Sequence, residues 1–171
     1  MEKKSSVLAL SAILSAVSAV MILLASVLPS GRIAVTALAG CACAAAVIHI
    51  GLKRSIAVFA VSAALALLIS PTKSCAVLYV LFFGWYPITK SPIEHIGGIV
   101  PCWAAKIAVF NAALAVVWIG FFEIVSEGIS FPKAGIVPAV AGCNIIFVLY
   151  DLCLSRLIAA YIGQVSKHIN K

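Results

Sequence analysis

Apolar side chains come in six long runs, at about 6–28, 33–50, 55–70, 74–89, 102–122 and 134–155. A membrane barrel would alternate apolar and polar residues with period two. These runs are instead continuously apolar and rich in Ala, Leu, Ile and Val. Each must therefore satisfy its own backbone hydrogen bonds, as only a helix does. The hydrocarbon core of a bilayer is about 30 Å thick and takes roughly 20 helical residues per crossing. The pattern predicts an all-α, polytopic membrane protein. The expected form is a bundle of six transmembrane helices in a single domain over residues 1–171.

The breaks between runs carry turn chemistry. Pro29-Ser30-Gly31 ends the first helix, Gly51 precedes the basic pair Lys53-Arg54, and Pro71 ends the third run. The third run is short for a perpendicular crossing, so it extends back to Lys53 or sits where the bilayer thins. In the fourth, Trp85 and Tyr86 suit the headgroup boundary and meet Pro87. Residues 87–95 form the longest polar interval expected on the cytoplasmic side. Pro87, Pro92, Gly97-Gly98 and Pro101 argue there against one continuous helix. A short amphipathic piece at the interface is expected. Pro138 falls in the first turns of the sixth helix, where a missing donor costs least. That helix should continue past Tyr161 as a cytoplasmic extension.

Composition agrees. Of 171 residues, 64% are hydrophobic and 10% charged, against roughly 25% charged in soluble domains. The net charge is +7, but the cations stand singly at helix ends and not in aromatic-interleaved runs, which speaks against nucleic acid as a partner. They sort by side. With the N-terminus in the cytoplasm, Lys3, Lys4, Lys53, Arg54, Lys90, Lys106, Arg156, Lys167 and Lys171 lie inside, and Arg32, Lys73 and Lys133 outside. By the positive-inside rule both termini are then cytoplasmic, in a multi-pass protein of the cell (inner or plasma) membrane. The 22 apolar residues from Val7 to Leu28 are too many for a cleaved signal core.

Ionisable groups inside spans are the candidates for chemistry. Asp151 stands about 17 residues into the sixth run and Lys106 about four into the fifth. At 1.5 Å per residue both reach a depth of roughly one turn from the cytoplasmic boundary. An intramembrane ion pair between Lys106 and Asp151 is expected, with snorkelling of Lys106 or an ion or proton site as alternatives. Arg156, five residues past Asp151, points about 140° away around the helix and is a poor partner for it. His49 reads as an interfacial packing group, and Asn111 and Asn144 as interhelical hydrogen-bonding groups. The six cysteines contain no Cys-x-x-Cys and read as small apolar side chains, so no metal site or cofactor is expected. No zinc-hydrolase, serine-hydrolase or P-loop motif occurs, and no two acidic residues pair within one span. The expectation is a protein that is not an enzyme, with no catalytic residues. Active transport would need an ion gradient or a partner.

The first helix repeats small residues at four-residue steps, Ser11/Ser15, Ala12/Ala16 and Ser15/Ala19, making a flat face for close helix approach. Leu10-Ser11-Ala12-Ile13-Leu14-Ser15-Ala16 with its Ala-x-x-x-Ala step, the Gly51-Leu52-Lys53-Arg54 hinge and the Ala-rich third helix resemble the substrate-binding S component of energy-coupling factor (ECF) transporters. The resemblance implies capture of a small vitamin-like solute from outside. It also implies delivery to a shared module of one transmembrane coupling subunit and two ATPases, with Ala12 and Ala16 as the partner contact. The family's ligand site lies on the outer side; Arg32, Lys73, Tyr79, Trp118, Glu123 and Glu127 have that placement here. The first outer loop, residues 29–32, is shorter than in many members. The alternatives are a membrane structural or assembly protein that docks a partner through residues 85–95, and a small ion-gradient-driven carrier using Asp151 and Lys106.

Overall fold

The computed structural model describes residues 2–126 and 136–169. Among them all regular structure is helical: α1 (Glu2–Val27), α2 (Arg32–Ile50), α3 (Leu52–Ile69), α4 (Lys73–Leu78), a π-helical turn (Tyr79–Phe83), α5 (Tyr86–Glu94), α6 (Ile99–Gly120), α7 (Phe122–Ser126) and α8 (Ile136–Ile169). Five of these, α1, α2, α3, α6 and α8, are long and apolar enough to cross a bilayer. Large apolar side chains such as Leu68, Ile119 and Val137 stand exposed, 79%, 87% and 81%. In water that surface would aggregate; it suits lipid. The chain is a multi-pass helical membrane protein. It divides into two compact units, Met1–Ser130 and Phe131–Lys171.

In the first unit α1 packs against both α2 and α3. Small residues make the approach possible, and serines fasten it. Ser18 Oγ donates to the Ala39 carbonyl of α2 at 2.9 Å. Ser15 Oγ lies 3.3 Å from the Val58 carbonyl of α3 while also reaching Ser11 O at 2.9 Å. Without a hydrophobic drive between helices in lipid, such contacts and close packing supply the association. The core between them is built of Ile22, Ala25, Ala39, Cys43, Ala63 and Ala66, closed by Tyr79 and Ile88.

The turn between α2 and α3 is a single residue. Gly51 holds φ +83°, a conformation that side chains rarely adopt, so α3 begins at Leu52, three residues before the apolar run. Pro101 occupies the first turn of α6, where no intrahelical donor is needed, which is why α6 starts at Ile99 and not at 102.

The apolar run 74–89 is not one helix. After α4 the backbone widens: Gly84 N donates to Tyr79 O at 2.8 Å, an i→i+5 bond. Pro87, which has no N–H, sits at the start of α5 and the helix re-forms over the next turn. Gly84 is required by space. A Cβ there would lie 2.7 Å from the Phe59 ring and 2.8 Å from that of Tyr79. The polar interval forms a short helix, α5, which packs on α2 and α6 and buries Tyr86, Pro87, Ile88 and Lys90.

In the second unit, α8 runs 34 residues, beyond the expected 134–155, and extends past Tyr161 as the sequence indicated.

Candidate functional site

Three places in the first unit concentrate polar chemistry or open space. The first is neutral and deep. The Tyr79 hydroxyl, on the π turn and fully buried, lies 2.7 Å from Ser62 Oγ and 3.2 Å from Cys43 Sγ. Ser62 Oγ also reaches the Phe59 carbonyl at 3.0 Å. With the serine proton on that carbonyl, the phenol donates to Ser62 and accepts from the thiol, so all three polar groups are served. The phenol lines none of the cavities described below.

The second is charged. Lys90 on α5 and Lys106 on α6 are both almost fully buried, yet both reach the same oxygen of Glu94, at 3.0 Å and 2.9 Å. Glu94 itself is 43% exposed. Lys90 and Glu94 are four residues apart on α5, the spacing that brings side chains together on one helix face. Lys106 Nζ also stands 5.2 Å from the centre of the Trp103 ring, within cation–π reach. Burial pushes the Glu94 carboxyl up, but hydrogen bonds and charge from Lys106 and Lys90 outweigh it and hold the group below the usual carboxylate range. A cleft of about 330 Å³ opens beside Glu94, walled by Cys102 and Trp103.

The third is a groove of about 700 Å³ between α1 and α3, with Lys4, Lys53 and Arg54 at one end and Ser11, Ala12 and Ala57 among its walls. A smaller apolar gap of about 350 Å³ separates the π turn from α6, near Val80 and Ala113.

The outer-side residues proposed for a ligand are not gathered by these cavities. Arg32 opens α2 and its Nε donates to Leu28 O at 2.7 Å. Lys73 opens α4 and donates to Leu67 O at 2.7 Å. Both side chains thus cap the carbonyl ends of the preceding helices, where a cation is favoured. Tyr79 is in the core. Trp118 packs on Phe122, ring centres 4.9 Å apart. Glu123 is exposed on α7. Glu127 lies outside the described residues. Near Arg32 and Lys73, Thr72 Oγ1 ties α4 to the Ser26 carbonyl at 3.0 Å. The buried hydroxyls of Ser70 and Ser74 meet no protein partner among the described residues.

Of the expected ion pair, Lys106 is buried and bound to Glu94, a partner that sequence reading did not give it. Asp151 is buried on α8, in the second unit, and its backbone carbonyl accepts the Ser155 hydroxyl at 2.8 Å. Asn111 and Asn144 each donate to the carbonyl one turn back on their own helix. Ala12 and Ala16 are exposed on α1. The spacing of Lys90 and Glu94 was the signal that could have found the charged cluster.

Comparison with known protein families, with curated proteins and with solved structures finds no match for this chain.

Proposed function

We propose that the chain crosses the cell membrane six times, both termini in the cytoplasm, and serves as the solute-capturing subunit of an uptake assembly energised by partner ATPases, in the manner of an ECF S component. The crossing beyond the five long helices is the apolar run 74–89, broken at the π turn. The cation distribution, nine against three, supports the orientation.

The observation that carries the reading is on α1. Two of its serines, Ser15 and Ser18, are consumed by α3 and α2, whereas two of its alanines, Ala12 and Ala16, remain exposed at four-residue spacing. A small-residue step left open in a membrane helix is where a second helix can approach closely. It is also the step by which the resembling family holds its coupling subunit. At the opposite end of α1, the Ser70 and Ser74 hydroxyls, which meet no partner among the described residues, offer the hydrogen bonds a small polar solute would use.

Purification from the native membrane in mild detergent tests this. The wild type is expected to retain one membrane protein and an ATPase pair, and Ala12→Leu with Ala16→Leu is expected to lose them. A folded wild type that carries no ATPase, even after crosslinking, overturns the proposal. A second reading, a structural or assembly subunit, is favoured by the engagement of Arg32, Lys73 and Tyr79 in the fold itself. It predicts membrane partners without ATPases.

A further inference from the structure

The groove between α1 and α3 has the shape and charge of an amphiphile. Its walls run over residues 4–15 of α1 and 53–61 of α3. At 1.5 Å per residue the α1 side is about 16 Å long, the depth of one leaflet of a bilayer about 30 Å thick. About 700 Å³ of open space lies along that length, so an extended hydrocarbon chain can lie in it.

Its walls are carbon. The two serines that line it turn their hydroxyls away, Ser11 to Val7 O at 2.8 Å and Ser15 to Ser11 O and Val58 O. The cations are all at one end: Lys4 from α1, Lys53 and Arg54 from the start of α3. Among the described residues none of the three makes an ion pair. The α2–α3 connection, one glycine long, holds Lys53 and Arg54 near the membrane surface.

We infer that this groove binds an anionic phospholipid, its phosphate against Lys4, Lys53 and Arg54 and one acyl chain along the walls formed by Ser11, Ala12 and Ala57. Basic side chains at a membrane surface attract anionic headgroups, and the apolar channel adds the contact that a soluble anion cannot make. Placing this lipid in the inner leaflet rests on the orientation proposed above; the site itself does not. The groove lies on one flank of Ala12, so the lipid would border any helix docked on Ala12 and Ala16.

Native mass spectrometry of the full chain tests the site, with phosphatidylglycerol, phosphatidylcholine and glycerol phosphate added to the detergent-solubilised protein. The expected result is one retained phosphatidylglycerol, bound at least about tenfold more tightly than phosphatidylcholine, and no displacement by glycerol phosphate. Lys53→Gln with Arg54→Gln should weaken phosphatidylglycerol roughly 30-fold, about fivefold per surface charge. Ala57→Leu, which narrows the channel without touching a charge, should weaken both lipids. Equal binding of the two lipids by the wild type overturns the inference, and so does full competition by glycerol phosphate. Retention of an acidic protein in the groove in place of lipid also overturns it. Because the wild-type comparison is sufficient, a variant that fails to fold does not rescue the inference. Loss of ATPase co-purification would leave these lipid results unchanged, so the two proposals fail separately.

Discussion

At the centre of the first unit a phenol, a hydroxyl and a thiol meet without charge. Between α5 and α6 two buried ammonium groups share one carboxylate. Tyr79, Ser62 and Cys43 are enclosed, and each group is answered by a neutral partner. Charge at that depth would cost several kcal/mol. In the second cluster Glu94 is 43% exposed, so one member keeps contact with solvent while Lys90 and Lys106 are buried. The difference teaches that the enclosed cluster closes its polar groups by neutral hydrogen bonds, whereas the charged one keeps one partner at the surface. The neutral cluster is a fixed part of the packing, and the charged one is sensitive to its surroundings.

Substitutions at the two clusters should separate these behaviours, with thermal unfolding in detergent as the measurement. The largest expected effect is Gly84→Ala. Its methyl group has no room between the Phe59 and Tyr79 rings, and the neutral cluster should lose about 2–3 kcal/mol through overpacking. An unchanged midpoint would mean that the π turn does not hold Tyr79 in place. Next is Glu94→Gln, which removes the carboxylate shared by two buried lysines. The cost should be about 1–2 kcal/mol, less than for a fully buried pair because Glu94 is partly solvated.

Acid should reproduce that loss. The Glu94 carboxyl titrates below its ordinary value of 4.5 in the folded chain, so its contribution is present above that value and is lost as pH falls below it. The gap between wild type and Glu94→Gln should therefore close on acidification, whereas the gap between wild type and Tyr79→Phe should not. The smallest effect is that of Tyr79→Phe itself, about 1 kcal/mol, because Ser62 keeps the Phe59 carbonyl and only one strong hydrogen bond is lost. A larger loss from Tyr79→Phe than from Glu94→Gln would reverse the comparison.

Much of this was legible in the sequence. The first three apolar runs became α1, α2 and α3 with shifts of a few residues, since length and continuous apolarity decide a membrane helix. The boundary of α3 moved to Leu52 because Gly51 can turn the chain alone. The break inside 74–89 was less visible. Pro87 signalled an end, but the π turn at Tyr79–Phe83 depends on how Gly84 admits the Phe59 ring of α3 beside that of Tyr79. The Glu94 contact of Lys106 was hidden by a similar route. Depth along straight helices pointed to Asp151. The polar interval folds as α5 and delivers Glu94 to α6, which no spacing between Lys106 and Glu94 encodes. The alanine step of α1 was readable as a flat face. That Ser15 and Ser18 would take the internal neighbours and leave Ala12 and Ala16 exposed was not.

The length of α8 has a mechanical consequence. Its 34 residues measure about 51 Å, and a bilayer takes up about 30 Å of that, or about 39 Å at a steep tilt of 40°. At least two turns of the same rod must therefore lie outside the hydrocarbon core. A rigid shaft that begins in lipid and ends beyond it moves as one piece, so a twist or tilt imposed at its greasy end is handed to whatever grips the wet end.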